Sequence, residues 1–319
     1  MLNLNLRHLR CFIEVMVTGS MISAADNLGR TQPSISRAIK ELENQLQKEL
    51  FISVQGHLRP TSHSISLLPK AQSILKSFEV FWDDAKNDKS EETEKTKIAG
   101  MPAFTASFLP HLVSIYSDKY RETAFDISTL HWQNIVETMA TGQYHYGFSE
   151  AAADTSFVNS TNFELPTLIA LAKDDPLATE DVIIPRQLQM RKIVLQPRRH
   201  LHGQLIHEAL RSSGEGIEIA SEVTTYQSAL PFVRAGKICA CCDAMTVQGY
   251  LLNNAQQNNL IFKKFIPEIY LPSLFMRTKG ASLSEPAEYF IEYVLSCIKA
   301  IISNPTEKLD CQRYLTTQV

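Results

Sequence analysis

The chain has 319 residues, the length of about two average domains, and 44% of its residues are hydrophobic while 20% are charged. This composition is typical of a globular protein and excludes an intrinsically disordered or fibrous one. The formal net charge of -3 is no signature of nucleic-acid binding, so any DNA-binding charge has to be concentrated in one region.

The N-terminus and the cysteines predict a cytoplasmic protein. Residues 1–12 include Arg7, His8 and Arg10, and they lack the apolar run of a signal peptide. No segment reaches the roughly 18 to 20 apolar residues of a membrane span. Six cysteines are too few and too unevenly spaced for a disulfide-stapled secreted fold. We therefore expect a soluble protein with reduced thiols and no membrane partner.

The first 85 residues have helical periodicity and almost no strand signal. Leu9, Phe12, Ile13 and Met16 recur at the spacing of a first helix with one buried face. A second helix is predicted from the apolar residues Ile22, Ala25 and Leu28. Gly29 suits the left-handed position that ends a helix, and Thr31 is suited to cap the next one.

The third helix separates an apolar face from a polar one. Ile35, Ile39, Leu42 and Leu46 form the apolar stripe. Two short helices joined by a tight turn, the second with a polar and basic outer face, are typical of a helix-turn-helix. The alternative is that this outer face is only solvated. The candidate DNA contacts of the turn and the outer face are Thr31, Gln32, Pro33, Ser34, Ser36, Arg37 and Lys40.

The chemistry of these side chains suits double-stranded DNA. Gln can pair bidentately with adenine and Arg with guanine in the major groove, while Ser and Lys can hold phosphates. Residues 1–62 carry seven Lys or Arg against five Asp or Glu, which is a small basic excess. We therefore expect modest nonspecific affinity for DNA.

At these residues the sequence resembles a known family. The run Leu6–Phe51 contains S-x-x-x-A-A-x-x-L, then Q-P-S-I-S-x-x-I-x-x-L-E-x-x-L, then L-F. It resembles the DNA-binding domain of LysR-type transcriptional regulators. The resemblance implies an N-terminal all-α winged helix-turn-helix in residues 1–62, with promoter DNA and RNA polymerase as partners, and it implies no enzymatic activity.

The predicted wing departs from the family pattern. The family usually has Arg two residues after the Leu-Phe pair, but here Leu50 and Phe51 are followed by Ile52 and Ser53. One basic contact is therefore absent. His57 and Arg59 are the remaining candidates to touch the DNA backbone or the minor groove.

Residues 63–85 are predicted to form a linker and dimerisation helix. The heptad seam consists of Leu68, Ala71, Leu75, Phe78 and Trp82. The resemblance favours antiparallel pairing of these helices between two subunits, in a dimer or a homotetramer. The alternative is packing of the seam against its own domain.

Beyond a charged hinge at residues 86–95, strands alternate with helices, as in a parallel α/β sheet. The resemblance implies a C-terminal α/β two-lobed domain similar to type 2 periplasmic binding proteins. This effector-binding domain spans residues 96–302, and a tail follows at 303–319. Lobe I is predicted at 96–162 and 269–302, and lobe II at 163–268.

The alternation in this region predicts individual strands and helices with approximate bounds. The predicted strands are Thr96–Met101, Ala124–Leu130, Tyr146–Glu150, Leu165–Ala172, Arg191–Gln196, Gly216–Val223 and Lys237–Cys242. The predicted helices are Phe108–Tyr120, Trp132–Gly142, His202–Ser212, Tyr226–Ala235 and Glu285–Ile302.

The expected effector is a small carboxylate, in one form with an aromatic body, held at strand ends and helix N-termini in the cleft between the lobes. The candidate effector residues are Phe104, Thr105, Ser107, His131, Trp132, Phe148, Ser149, Gln196, Arg198, Arg199, Thr224 and Thr225. Structural roles are the alternative for three of them. Thr224 can cap a helix together with Gln227, Arg198 can be solvated, and Trp132 can belong to the core.

Other chemistries have weaker support. Cys239, Cys241 and Cys242 leave a redox-responsive regulator open, although the same run also suits a buried strand. They lack the second ligand pair of a structural zinc site, and no catalytic motif or phosphate loop is present, so no metal and no cofactor are expected. A solute-binding module without a role on DNA is the second alternative.

Overall fold

The computed structural model describes residues 5–54, 57–86, 95–121, 123–150, 155–211, 217–236, 238–254, 259–281 and 283–315. Residues 87–94 of the predicted hinge and 316–319 of the predicted tail lie outside the described residues. The chain forms two compact units, Met1–Ser90 and Glu91–Val319. Among the described residues, no helix is both long enough and apolar enough to cross a membrane.

The first unit is mostly helical. Its elements are α1 (Leu6–Thr18), α2 (Met21–Asn27), α3 (Gln32–Leu46), β1 (Phe51–Val54), β2 (His57–Pro60) and α4 (Ser62–Lys86). Phe12 and Val15 of α1 pack with Ile35 and Ile39 of α3 in one core. The helix-turn-helix expected from the sequence is therefore present.

Two apolar residues lie differently from the prediction. Ile22 of α2 is 65% exposed and Leu46 of α3 is 37% exposed, whereas Ala24 and Ala38 are buried. Because α2 has only seven residues, its apolar positions do not define one face. At the end of α3, Gln47 takes a left-handed conformation with φ of 52°, so the chain turns away from the core there.

The turn between α2 and α3 contains Gly29 in the left-handed conformation, with φ of 62°. This matches the role expected of that glycine, since a side chain is strained at positive φ. Thr31 occupies the N-cap position of α3, but its side chain makes no capping hydrogen bond. The predicted capping role of the Thr31 hydroxyl is therefore wrong.

The wing is an antiparallel pair of strands, β1 and β2, in which Ile52 lies opposite Arg59. The Glu43 carboxylate of α3 accepts hydrogen bonds from the backbone N–H of Leu50 at 2.7 Å and of Phe51 at 3.2 Å. The buried Ser64 hydroxyl at the start of α4 donates to the Leu50 carbonyl. These bonds fix the base of the wing to the helices on either side.

The predicted heptad seam of α4 is not exposed along its whole length. Ala71 and Leu75 are buried in the core of the first unit, so this half of the seam packs against its own domain. The Phe78 and Trp82 rings stack with their centroids 6.0 Å apart. Ile74 and Phe81 are exposed by 44% and 64%, and both lie outside the predicted seam.

The second unit is built on a mixed sheet. Its strands are β3 (Thr96–Gly100), β4 (Phe125–Thr129), β5 (Tyr146–Glu150), β6 (Val158–Ala172), β7 (Val182–Ile183), β8 (Lys192–Leu195), β9 (Glu218–Glu222), β10 (Ile238–Asp243), β11 (Leu260–Phe265) and β12 (Tyr270–Thr278). The strand order is β4-β3-β5-β12-β6-β10-β8-β9, and β11 pairs with β6 and β7. β3 is parallel to β4 and β5, and β8 is parallel to β9 and β10.

The long strand β6 takes part in both lobes. Its residues from Val158 to Pro166 pair with β12, whereas those from Thr167 onward pair with β10 and β11. The Thr167 N–H donates to the Ile269 carbonyl at 2.8 Å, where the chain enters β12. The lobes are therefore joined by β6 itself and by the segment through Ile269 that leads from β11 into β12.

Helices cover both faces of the sheet, as expected for a two-lobed α/β domain. They are α5 (Leu109–Lys119), α6 (Trp132–Ala140), α7 (Leu201–Arg211), α8 (Leu230–Arg234), α9 (Ala244–Asn253), α10 (Glu285–Ser303) and α11 (Cys311–Leu315). A π-helical turn at Phe104–Phe108 precedes α5, and 3-10 turns lie at Pro176–Thr179, Pro185–Leu188 and Tyr226–Ser228. The predicted helix at residues 226–235 is thus a 3-10 turn followed by the short α8. β7, β11, β12 and α9 were not predicted. β6 begins at Val158 rather than at the predicted Leu165, and α11 lies within the predicted tail.

Candidate functional site

The first candidate site is the N-terminal half of α3. Thr31, Gln32, Pro33, Arg37 and Lys40 are exposed. Among the described residues, no ion pair or side-chain hydrogen bond engages the Arg37 guanidinium or the Lys40 ammonium, so both remain available for an anionic partner. The first turn of α3 contains no acidic residue that would repel phosphate.

The remaining α3 candidates lie at the edge of this surface. Ser34 and Ser36 are half-buried, on either side of the fully buried Ile35. Arg30, which the sequence reasoning did not select, is exposed in the turn just before α3. Its position one residue before the N-cap was the available signal.

The wing offers one described basic side chain. Arg59 is exposed on β2, opposite the exposed Ile52 of β1. The backbone of His57 belongs to β2, but its side chain lies outside the described residues. Arg59 is therefore the wing candidate whose position the structure gives.

The second candidate site is a cavity of about 470 Å³ in the second unit. It lies where β3, β4, β5, β8 and β10 end, and Leu165 of β6 and Leu271 of β12 contribute to its lining. This is the edge at which α/β sheets hold ligands. The volume is in the range of small-molecule sites.

Part of the predicted effector set lies together in this cavity. The predicted residues that line it are His131, Trp132, Phe148, Gln196, Arg199, Thr224 and Thr225. They come from β5 and from the segments that follow β4, β8 and β9, so the fold brings together residues that are far apart in the sequence.

Three candidates from the segment after β3 do not line the cavity. Phe104 is completely buried and stacks on Phe148 with ring centroids 4.7 Å apart. The buried Thr105 hydroxyl bonds the Thr129 hydroxyl at 2.8 Å. Ser107 faces α9, because a Cβ atom added at Gly249 would lie 2.9 Å from the Ser107 Cβ. The π-helical turn directs these side chains into the core rather than the cleft.

Two further candidates are also outside the lining. Ser149 is fully buried, and its hydroxyl donates to the Trp132 carbonyl at 3.3 Å. It lies between Phe148 and Glu150 on β5, and alternate residues of a strand face opposite sides. Arg198 is exposed away from the cavity, whereas the adjacent Arg199 lines it.

The cavity also contains two carboxyl groups that the sequence reasoning missed. Glu150 is the last residue of β5 and Asp243 is the last residue of β10. Both strands were expected from the sequence, so the position of an acidic residue at a strand end was the available signal. Burial raises the pKa of Glu150, and the nearby Asp243 raises it further.

The two carboxyl groups differ in their partners. Asp243 caps α9, because its oxygens accept from the Thr246 N–H at 2.9 Å and from the Thr246 hydroxyl at 2.8 Å. Burial raises the pKa of Asp243, and these hydrogen bonds oppose that effect. Among the described residues, no hydrogen bond or ion pair engages the Glu150 carboxylate.

Two amides complete the polar lining. The Gln196 amide N–H donates to the Thr224 carbonyl at 3.4 Å, while its oxygen is buried without a partner among the described residues. The side-chain nitrogen of Gln227 is also buried without such a partner. Thr225, not Thr224, is the residue that precedes the 3-10 turn, so the predicted capping pair of Thr224 and Gln227 is wrong.

A buried chain of hydrogen bonds connects the cavity wall to β6. The Tyr226 hydroxyl lies 2.5 Å from His202 Nδ1, and His202 Nε2 lies 2.6 Å from the Thr167 hydroxyl. Burial lowers the pKa of His202 to about 3, so this imidazole is neutral at pH 7. The chain holds the Tyr226 ring in place by a link to the strand that joins the lobes.

The three neighbouring cysteines of β10 are part of the protein core. Cys239, Cys241 and Cys242 are all 0% exposed in β10. Burial raises the pKa of Cys239 to about 11 and raises those of the other two thiols as well. A thiol has to ionise and be reached by oxidant to act as a sensor, so the geometry gives no support to the redox alternative. In the described part of the chain, no group of three or more His, Cys, Asp or Glu could hold a metal ion.

Each of the two units matches a known protein-family model. Residues 6–64 match the bacterial regulatory helix-turn-helix protein of the lysR family, and residues 89–297 match the LysR substrate binding domain. The chain belongs to the LysR family of transcriptional regulators. This LysR-type protein is thus a DNA-binding transcriptional regulator, as the resemblance of residues 6–51 implied.

Individual relatives agree with this assignment. The LysR-type chain is 25% identical over 247 residues to the transcriptional activator protein LysR of Escherichia coli (strain K12), covering 77% of this chain and 79% of that protein. It is 26% identical over 240 residues to the octopine catabolism/uptake operon regulatory protein OccR of Rhizobium meliloti, covering 75% and 80%. Full-length CbnR, solved in complex with its target DNA, has a TM-score of 0.61 and 19% identity over 92% of this chain and 99% of that one. The fold is therefore shared.

Proposed function

We propose that this regulator binds promoter DNA through the exposed N-terminal half of α3 and that a small effector bound in the cavity of the second unit controls its action. The observation that carries the proposal is the combination of exposed basic side chains on α3, unpaired among the described residues, with a cavity at the strand ends of the second unit. CbnR was solved with its target DNA, and the same use of DNA is proposed for this chain.

On DNA, Arg37 and Gln32 are placed to read base edges in the major groove, and Lys40 and Ser36 to hold phosphates. Arg59 of the wing supplies a contact to the DNA backbone or to the minor groove. These contacts come from α3 and from the wing, whose base at Leu50 is held by hydrogen bonds of Glu43 and Ser64 and whose strand β2 pairs with β1.

In the cavity, an effector carboxylate is proposed to bind at Arg199. Trp132 and Phe148 supply apolar surface for the body of the ligand. Such a ligand touches residues of both lobes, so its binding favours one arrangement of the lobes over others.

This change in lobe arrangement is proposed to alter the geometry of the subunits on DNA and their contact with RNA polymerase. The experiment combines selection of an operator from random DNA with footprinting by the purified full-length chain. We expect a protected site whose affinity or length changes when an effector binds. Absence of any selected sequence at low salt would refute the role on DNA.

We also propose that two copies of the chain pair through α4, as dimers that assemble into tetramers. Because Ala71 and Leu75 already pack inside their own unit, the pairing face proposed here contains Ile74 and Phe81. Burial of these exposed apolar side chains against a second copy supplies the driving force.

Sedimentation of the Phe81→Glu variant tests the pairing. We expect the variant to dissociate at concentrations at which the parent chain is oligomeric, because a charge in an apolar interface is costly. The control is Lys76→Glu, which changes an exposed polar residue of the same helix. Equal behaviour of both variants would place the interface elsewhere.

A further inference from the structure

The acidic groups of the cavity are unexpected for a site that would bind only a carboxylate. Glu150 and Asp243 both line the cavity, and they lie close enough for Asp243 to raise the pKa of Glu150. A ligand that carries only negative charge would be repelled by both groups.

The capping of α9 accounts for Asp243 but not for Glu150. Asp243 is held by Thr246, whereas the Glu150 carboxylate has no hydrogen-bonding or ionic partner among the described residues. Removing a carboxylate from water is unfavourable unless a partner replaces the water. A cationic ligand group would supply that partner.

Gln196 provides an independent observation. The residue is only 6% exposed, and its side-chain amide oxygen is buried in the cavity lining without a partner among the described residues. This oxygen is a hydrogen-bond acceptor. Gln196 follows β8, which is paired in parallel with β10, the strand that ends at Asp243. The neighbouring ends of β8 and β10 therefore present hydrogen-bond acceptors, which a ligand with N–H donors would satisfy.

The cavity also presents donors. Arg199 lines it, and among the described residues no carboxylate pairs with its guanidinium. The side-chain nitrogen of Gln227 is buried in the lining without a partner in the described part of the chain. These groups match a ligand carboxylate. Apolar side chains such as Phe148, Met245 and Leu271 also line the cavity.

We infer that the effector is zwitterionic, an amino acid or a derivative that keeps both its amine and its carboxylate, with the ammonium group at Glu150, Asp243 and the Gln196 oxygen and the carboxylate at Arg199. This inference rests on the proposed function, since it names the ligand class of the same cavity. An ammonium group has three donors and so can satisfy three acceptors at once.

The test is a thermal-shift screen of the full-length chain against the twenty L-amino acids, followed by calorimetry on those that raise the melting temperature. Each binder is compared with its deaminated acid and its decarboxylated amine, for example L-phenylalanine with 3-phenylpropanoate and 2-phenylethylamine. We expect at least one amino acid to bind and both of its truncated analogues to bind at least about tenfold more weakly.

The Glu150→Gln variant then locates the ammonium site. We expect at least about a tenfold loss of affinity for the amino acid and no loss for its deaminated acid, because the substitution removes charge with little change of volume. The matched control is Glu164→Gln, on an exposed residue of β6 outside the cavity lining, and it should bind as the parent does.

Two outcomes would overturn the inference without touching the proposed function. In one, deaminated acids bind as tightly as amino acids and Glu150→Gln has no effect, so the cavity is an effector site for simple carboxylates. In the other, no amino acid raises the melting temperature of a chain that still binds its selected operator. Failure of the chain to bind any operator would refute the role on DNA instead, whatever the ligand screen gives.

Discussion

The DNA-binding candidates of α3 and the residues that line the cavity are brought together in different ways. The α3 candidates come from ten consecutive residues, and most of them are exposed and free of partners within the described chain. The cavity residues come from several strand ends, and many of them also hold the fold together, as Asp243 does by capping α9. Substitutions on α3 should therefore change function alone, whereas those behind the cavity should change function and stability together.

The largest expected effect is on DNA binding by Arg37→Ala. Loss of a bidentate contact to a base costs about 1–3 kcal/mol, so affinity for the selected operator should fall about 5- to 150-fold in fluorescence anisotropy. The melting temperature should not change, because Arg37 is exposed.

The control for Arg37→Ala is Lys48→Ala, which removes an exposed basic residue beyond the C-terminal end of α3. It should weaken binding far less. A matching loss of affinity in both variants would mean that the contribution of Arg37 is general charge rather than reading of bases.

The second prediction concerns Gly203→Ala behind the cavity. A Cβ atom at Gly203 in α7 would lie 2.8 Å from the Gln196 carbonyl oxygen and closer still to that of Pro197. Because backbone cannot rotate away, we expect a loss of about 1–3 kcal/mol in the free energy of unfolding. Urea unfolding should measure it, and ligand affinity should fall as Gln196 is displaced.

Gln204→Ala, in the same helix, is the matched control, since Gln204 is exposed. It should leave both quantities nearly unchanged. If Gly203→Ala altered the free energy of unfolding but not ligand affinity, residues behind the cavity would not couple stability to ligand binding.

A smaller effect is expected in the pH dependence of stability. The pKa of His202 is about 3 in the folded chain against an ordinary value of 6.5, so the unfolded chain binds the extra proton between these limits. The free energy of unfolding should therefore fall as the pH decreases below 6.5. His202→Gln should remove about 1 kcal/mol of the loss seen between pH 7 and 5.5.

The exposed His63 supplies the comparison, because His63→Gln should keep the slope of the parent chain. Urea midpoints at the two pH values measure the slope of each protein. Parallel slopes for the His202 variant and the parent would show that burial of this imidazole does not contribute to acid sensitivity.

The smallest expected effect is at the thiols of β10. Because Cys239, Cys241 and Cys242 are buried and their pKa values are raised, a thiol reagent should not label them in the native chain. Peptide mapping by mass spectrometry should find labelling only after unfolding in urea. Rapid labelling of the native chain, with peroxide altering operator binding, would restore the redox alternative.

The contrast between α3, whose candidates are consecutive residues, and the cavity, whose residues come from distant strand ends, also determines how much the sequence alone could predict. On α3 the periodicity of Ile35, Ile39 and Leu42 places the opposite face outward, so local pattern suffices to select Arg37 and Lys40. The fold class of the second unit followed from alternating strands and helices. Strand β12 was missed because its pairing partners β5 and β6 lie far away in the sequence. Helix α9 was missed because nearly all of its residues are buried, so no polar face marks its helical period.

For the cavity, the sequence predicted that strand ends matter but not which side chains would point inward. Phe148 and Arg199 line the cavity, whereas their neighbours Ser149 and Arg198 do not. The choice between Phe148 and Ser149 depends on the phase of β5. The π-helical turn at Phe104–Phe108, which no local pattern indicated, places Phe104 and Thr105 in the core instead. Glu150 was not predicted as a cavity residue because only the folded sheet brings its carboxyl group near Asp243.

The strand β6 restricts how this gene can change length. Successive residues of a strand face opposite sides, so loss of one codon within β6 would invert the inward and outward positions of every residue on one side of the deletion. β6 pairs with β12 before Thr167 and with β10 and β11 from Thr167 onward. A deletion would therefore turn core side chains outward and exposed side chains inward in one of the two lobes. Tolerated insertions and deletions should therefore accumulate in the connections between strands, and recombination between relatives should preserve the full length of this one segment.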